Sequence, residues 1–370
     1  MNAPLGHAGQ GAVQNRKAML NSPEIFLRDL DPVRGRAVFT PMSEASYRAS
    51  SFLDNRIVRV GDRDRVVDLD DLIELVATQP VRHRVIHYLF HIGHCGSTLI
   101  SRVLGERPCY LALREPPLLM GLSRSFRALD RPGFPISRER WEALKDLSLF
   151  MLGKTWRSDQ VALIKPTSHA GNLIPTLMRH TGRELAVVLY VDLETYLATM
   201  LRPHTRQEAR LFAKDFRARE LAGLIDAPPR AADDYSDPEL LALTWLLQAR
   251  ELAMALEAPD IGPRCLPLHF DDFLADPPIV TDRLCAFLGP AIAPAERDRI
   301  LDGPWLTRAA KDPGQTYGRE DRERELSASR SRHAADMAAA LAFAKDISDS
   351  EAFSGLRERF GPARGRPGPS

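Results

Sequence analysis

No apolar run in the 370-residue chain approaches the ~18 residues that a bilayer-spanning helix needs, so no transmembrane segment and no membrane partner are expected. Residues Met1 to Gln14 are rich in Gly, Ala and Gln and lack the apolar core of a signal peptide, which argues against secretion by that route. The four cysteines, Cys95, Cys109, Cys265 and Cys285, are scattered and include no C-x-x-C pair. Neither a disulfide framework nor a zinc knuckle is expected, and a cytoplasmic setting is. His87, His91 and His94 lie close together, but no second ligand cluster accompanies them, so no metal is expected. Charge of one sign is not in excess either: 50 Lys+Arg against 49 Asp+Glu leaves a net charge of +1. Bulk attraction to nucleic acid therefore has no electrostatic basis, and any grip on an anion must be local. There is no internal repeat at solenoid spacing.

What is present, 44% hydrophobic and 27% charged residues, is the mix of a globular protein. Short apolar or β-branched runs alternate with longer helical patterns, which predicts an α/β fold with a parallel sheet and crossover helices. The strand candidates are Val85–Ile92, Tyr110–Arg114, Val161–Lys165, Leu185–Val191 and Cys265–Phe270. The helix candidates are Ser97–Gly105, Asn172–Thr181, Thr195–Arg202, Glu239–Leu256 and Pro278–Leu288. A capping box at Thr205 and Glu208 predicts a further helix, with Arg206, Arg210 and Lys214 on a solvated basic face. The stretch from Trp305 to His333 is dense in Arg, Glu, Asp and Gly and reads as a loop or lid. The expected organisation is a flexible N-terminus (1–20), an N-terminal extension packed on the core (21–82), one large domain (83–345), and a helix end with a flexible tail (346–370).

The most informative segment is His91-Ile-Gly-His-Cys-Gly-Ser-Thr-Leu-Ile-Ser-Arg102, where an apolar strand enters a glycine-containing turn and leaves as an apolar helical pattern. Glycine lets the backbone approach an oxyanion closely, the first N–H groups of the helix point at it, and Ser97 and Thr98 add donors. Phosphate, sulfate and carboxylate all suit such a cradle. A Walker A loop is absent because no lysine follows Gly96, which disfavours an ATPase or GTPase. A cysteine-phosphatase loop needs five residues between Cys and Arg. Six separate Cys95 from Arg102, although a cysteine at a helix start would still have a lowered pKa.

The segment resembles the loop of the P-loop sulfotransferases, which use 3′-phosphoadenosine-5′-phosphosulfate (PAPS) as donor and carry [RK]-S-G-[TS]-[TS]-L where this chain has His94-Cys95-Gly96-Ser97-Thr98-Leu99. Further matches follow in the family's order. Arg114-Glu115-Pro116 stands at a Glu-Pro strand end, and Leu163-Ile164-Lys165-Pro166-Thr167 at a strand-end lysine. Val191-Asp192 through Thr199 aligns with R-D-P-x-x-x-x-x-S. Trp245, the acidic segment Phe270-Asp-Asp-Phe-Leu-Ala-Asp-Pro277 and Ala286-Phe-Leu-Gly289 complete the series, so that residues 83–320 are covered. The resemblance implies a three-layer P-loop NTPase-like fold, with a central parallel sheet flanked by helices.

It further implies that His94, Cys95, Gly96, Ser97 and Thr98 hold the 5′-phosphosulfate, with Glu115 as general base and Lys165 or His94 steadying the leaving group. The chain departs from the family at several positions. His94 replaces a Lys or Arg, Cys95 a Ser, Val191 the Arg used against the 3′-phosphate, and Thr199 the Ser beside it. Arg202, one turn from Thr199, and Arg308 or Lys311 further on are the candidate replacements for that charge. The expected acceptor is a hydroxyl or amine of a small-molecule or carbohydrate-type compound, and oligomeric state is not legible. Two alternatives remain open: a nucleotide- or phosphate-binding protein that has lost sulfuryl transfer, and a phosphoryl-transfer enzyme on the same fold.

Overall fold

A computed structural model of the chain describes residues 19–61, 63–79, 84–202, 205, 220–221, 223–225, 230–312 and 314–363. The expected flexible ends fall largely outside this set, as do Arg206, Glu208, Arg210 and Lys214 of the expected capped helix. Five strands form the central sheet: β4 (Ile86–His91), β5 (Tyr110–Arg114), β6 (Val161–Lys165), β7 (Ala186–Tyr190) and β8 (Cys265–His269), in the order β5-β6-β4-β7-β8. Ahead of them in the chain, β1 (Ile25–Asp31), β2 (Arg36–Pro41) and β3 (Arg65–Asp68) make a separate antiparallel sheet.

The α/β architecture with a central parallel sheet is as the alternating pattern predicts, and the five strand candidates agree with β4–β8 to within a residue at each end. The pairs β4–β6, β5–β6 and β7–β8 run parallel. Every residue of β4 is buried, as is every residue of β5, which is why both read as continuous apolar runs rather than alternating ones. The chain steps from β4 to β5 and back to β6 on one side, then crosses to β7 and β8 on the other. β4 is therefore the switch point of the sheet, the strand at which its order reverses.

By contact clustering the chain divides into two compact units, Met1–Tyr88 with Ser101–Ala170 and Leu177–Glu184, and Leu89–Ile100 with Gly171–Thr176 and Leu185–Ser370. The boundaries fall within β4 and within the helix Ser97–Gly105.

In the first unit, β1 packs against the helices Pro117–Phe126 and Arg138–Leu152. Ser137 caps the second of these by accepting from Arg140 N–H, and its fully buried Trp141 donates Nε1–H to the Leu122 carbonyl at 3.1 Å. Two buried arginines fasten the carboxyl end of the short helix Glu44–Ala49. Arg114 donates Nε–H to the Ser50 carbonyl at 2.8 Å and also bonds the carbonyls of Tyr47 and Arg48. Arg102 bonds the carbonyls of Arg48 and Ala49 and the Ser51 hydroxyl. Burial pushes the Arg114 guanidinium down to about 9, an effect to which Arg102 adds.

In the second unit the helix Asp237–Glu257 is buried along most of its length, started by a reciprocal capping box between Ser236 and Glu239. Its Trp245 donates Nε1–H to the Val191 carbonyl at 3.1 Å. The helix Leu193–Met200 is capped by Asp192, which accepts from Thr195 N–H at 2.9 Å, so it begins two residues before the predicted start. The predicted helix Asn172–Thr181 is instead a 3-10 turn, Ser168–Leu173, leading into the short helix Ile174–Met178.

The expected lid at 305–333 requires correction: Arg319–Arg332 is a helix. It carries no apolar stripe, since only Leu326 and Ser329 are buried along it, and it is supported by ion pairs at helical spacing. Arg319–Glu323 lies at 3.0 Å, and Arg324 pairs with Asp321. A helix with a polar surface nearly all round leaves no periodicity to read. Among the described residues, no helix is long and apolar enough to cross a membrane.

Candidate functional site

The turn between β4 and the helix Ser97–Gly105 belongs to the second unit, and its backbone explains its residue types. His94 sits at φ 57° and Gly96 at φ 85°, both in the left-handed region. Glycine enters that region freely and histidine is among the side chains that tolerate it. Gly96 is required for a second reason: a Cβ there would lie 2.2 Å from Cε2 of Phe270, whose ring packs against the turn. The turn is pinned at its base. Ile92 N–H donates to the Leu189 carbonyl at 3.1 Å, Gly93 N–H to Gln248 Oε1 at 2.9 Å, and Cys95 Sγ contacts the Leu189 carbonyl at 3.7 Å.

Beyond those ties the donors are left over. Among the described residues, no group accepts from the N–H of Gly96, Ser97 or Thr98, and none partners the hydroxyls of Ser97 and Thr98. Both hydroxyl-bearing residues are 5% exposed, and the little surface they keep includes their hydroxyl oxygens. A buried donor without an acceptor costs free energy, and consecutive N–H groups at a helix start carry positive partial charge. The turn is chemically a nest for an anion.

Cys95 is 1% exposed and directed at a strand carbonyl, while Arg102 is committed to the carbonyls near residue 48. The cysteine-phosphatase reading therefore lacks both its nucleophile and its arginine. No group of three or more His, Cys, Asp and Glu able to hold a metal occurs among the described residues.

Glu115 and Lys165 belong to the first unit and stand at the carboxyl ends of β5 and β6. They form an ion pair, with Lys165 Nζ donating to Glu115 Oε1, and Glu115 N–H donates to the Lys165 carbonyl at 2.7 Å. The lysine side chain is 1% exposed and the glutamate side chain 24%, so the pair shows its carboxylate to solvent and hides its ammonium. Lys165 Nζ also lies 5.7 Å from the centroid of the Phe52 ring. Glu115 holds φ 52°, a conformation that costs a non-glycine residue of this kind roughly 1–2 kcal/mol and that elsewhere clusters at functional positions.

The remaining candidates are less concentrated. Thr199 is back-bonded, its hydroxyl donating to the Thr195 carbonyl at 2.9 Å. Arg202 lies on the same turn, as its spacing predicts, with Nε–H donating to the Thr199 carbonyl at 3.0 Å, but its Nη1 pairs with Glu325. Tyr317 also donates to that carboxylate at 3.0 Å. Burial, with Glu325 adding to it, pushes the Tyr317 phenol up to about 12. Arg308 and Lys311 are exposed; the backbone at Arg308 bridges to Thr316. Val191 is buried in the core. Asp192 next to it faces His269 Nε2 at 3.7 Å. Burial works to raise the Asp192 carboxyl, but the nearby His269 ring and the bond from Thr195 N–H outweigh it and hold it at about 2.

Two residues beside the nest escape sequence reasoning. Gln248 has no signal beyond its helix. Arg322 lies in a stretch whose composition reads as loop; its Nη1 pairs with Asp271 at 2.8 Å, and its guanidinium carbon sits 5.3 Å above the Phe270 ring.

No family model and no curated protein matches the chain. Among solved structures it is similar to a sulfotransferase domain from the curacin biosynthetic pathway (15% identity, TM-score 0.39, 69% of this chain and 99% of that one). It is similar to a sulfotransferase from Mycobacterium tuberculosis H37Rv (13%, 0.40, 71% and 81%). Retinol dehydratase, solved with androsterone and the inactive cofactor PAP, is a third (14%, 0.34, 92% and 95%).

Proposed function

We propose that the chain is a sulfotransferase-like enzyme that moves a sulfuryl group from PAPS to a hydroxyl or amine of a small-molecule or carbohydrate-type acceptor. The observation that carries the reading is the set of donors at Gly96, Ser97 and Thr98 that no described protein group satisfies, at the switch point of a parallel sheet. The motif resemblance supplies the identity of the anion. The loop amides and the two hydroxyls hold the 5′-phosphosulfate.

In the transfer, the acceptor oxygen or nitrogen attacks sulfur and the bond from sulfur to the bridging oxygen breaks. The electron pair of that bond stays on the 5′-phosphate, and the acceptor's proton passes to a Glu115 carboxylate oxygen. Lys165 orients Glu115 from the buried side, and the carboxylate keeps access to solvent. Glu115→Gln is expected to lower turnover by at least about a hundredfold, the range a positioned base supplies. Adenosine 3′,5′-bisphosphate, measured by calorimetry, should bind the variant as it binds the unaltered protein. Turnover at the unaltered rate removes Glu115 as the base.

A further inference from the structure

We propose that Arg322, from the helix Arg319–Arg332, is the cation that serves the anion nest. The proposal rests on the reading of the nest given above and deepens it by naming a binding residue that the loop does not contain. The nest has donors but no formal positive charge of its own apart from what protonation of His94 would bring. The other cations offered by sequence are paired or exposed: Lys165 is paired with Glu115, Arg202 with Glu325, and Arg308 and Lys311 are exposed.

Arg322 reaches the nest by a contiguous set of contacts. Its guanidinium lies over the face of Phe270, and the edge of the same ring packs against Gly96 closely enough that no Cβ fits between them. One guanidinium nitrogen forms an ion pair with Asp271 Oδ1 at 2.8 Å without hydrogen-bond alignment, and no N–H group of Arg322 donates a hydrogen bond to an acceptor among the described residues. The side chains of Arg322 and Asp271 are 14% and 8% exposed, so the charge is held mostly out of water, where its field is weakly screened. Asp271 is itself fixed, since its N–H donates to His269 Nδ1 at 3.1 Å. A pre-set guanidinium with unspent donors beside a turn with unspent donors is an arrangement that an oxyanion completes.

The competing account is that the Arg322–Asp271 pair only fastens the helix Arg319–Arg332 to the second unit. The two accounts differ in what happens when Asp271 is neutralised. If Arg322 binds the ligand, Asp271→Asn leaves the cation in place without its competing carboxylate, and the anion binds as tightly or more tightly. If the pair is a fastening alone, Asp271→Asn acts in the same direction as Arg322→Ala.

The test is calorimetric titration of the full chain with adenosine 3′,5′-bisphosphate at fixed low salt. Arg322→Ala should weaken binding by about tenfold or more, the size of one charge-assisted contact. Arg322→Lys should recover most of that loss, and Asp271→Asn should match or exceed the unaltered affinity. Unaltered affinity in Arg322→Ala, while Ser97→Ala/Thr98→Ala loses affinity, overturns this proposal and leaves the nest standing. Weakening in Asp271→Asn equal to that in Arg322→Ala also overturns it. No binding by the unaltered protein overturns the nest and Arg322 together.

Discussion

Two places among the described residues that gather hydrogen-bond donors use them in opposite ways. Around the carboxyl end of the helix Glu44–Ala49, Arg102 and Arg114 spend their guanidinium groups on the carbonyls of Tyr47, Arg48, Ala49 and Ser50. That end of the first unit is thereby closed: a helix terminus that exposes its last carbonyls is satisfied from within the protein. At the turn after β4, three amides and two hydroxyls have no such partner among the described residues. The first arrangement is what stability alone produces. The second is unfavourable for the protein by itself, and it becomes favourable when an anion is supplied from outside.

The contrast is sharpest in substitutions that should move binding and stability separately. The largest effect is expected for Ser97→Ala with Thr98→Ala. Two lost bonds to a charged acceptor, at roughly 1.5–3 kcal/mol each, weaken adenosine 3′,5′-bisphosphate by at least about a hundredfold. The melting temperature of the free protein should be unchanged or slightly higher, because neither hydroxyl has a protein partner to lose. A fall in melting temperature with no change in affinity would give those hydroxyls a structural role and erase the distinction between the two regions.

Arg114→Met should do the reverse on a smaller scale. It strips donors from the buried carbonyls of Tyr47 and Ser50, while Arg102 still serves the Arg48 carbonyl, and is expected to lower unfolding stability by about 2–4 kcal/mol. The variant, measured by chemical denaturation and by calorimetry below its melting temperature, should bind the bisphosphate with unaltered affinity. Loss of affinity beyond the loss of folded protein would mean that the arginine end of the first unit also takes part in binding.

How much of this was legible in sequence follows from which features are periodic. β4–β8 are buried on both faces and so read as unbroken apolar runs, and the helix Ser97–Gly105 follows directly from the Ser-Thr start and the apolar spacing behind it. β1–β3 are not of that kind. β1 is interrupted by a register shift between Leu27 and Asp29, and three of the four residues of β3 are exposed, so their sheet leaves no clean alternation. The helix Arg319–Arg332 escaped because ion pairs and a single buried leucine hold it in place of an apolar face. Arg202 was placed on the correct turn beside Thr199, but its pairing with Glu325 joins residues 123 positions apart and has no local signature. Arg322 was missed for both reasons at once. The residue types of the nest, by contrast, are dictated locally: the positive φ values at His94 and Gly96 and the two adjacent hydroxyls are all consequences of five consecutive residues.

The central claim is that the N–H groups of Gly96, Ser97 and Thr98 are the receptor for an oxyanion, and backbone amide resonances report on that contact without any substitution. Titration of the isotope-labelled protein with adenosine 3′,5′-bisphosphate, followed in a transverse-relaxation-optimised ¹⁵N–¹H spectrum, should shift the Gly96, Ser97 and Thr98 amides downfield in proton frequency with a common dissociation constant, while neutral adenosine leaves them in place. Saturable binding that moves other amides and leaves those three unshifted would contradict the account.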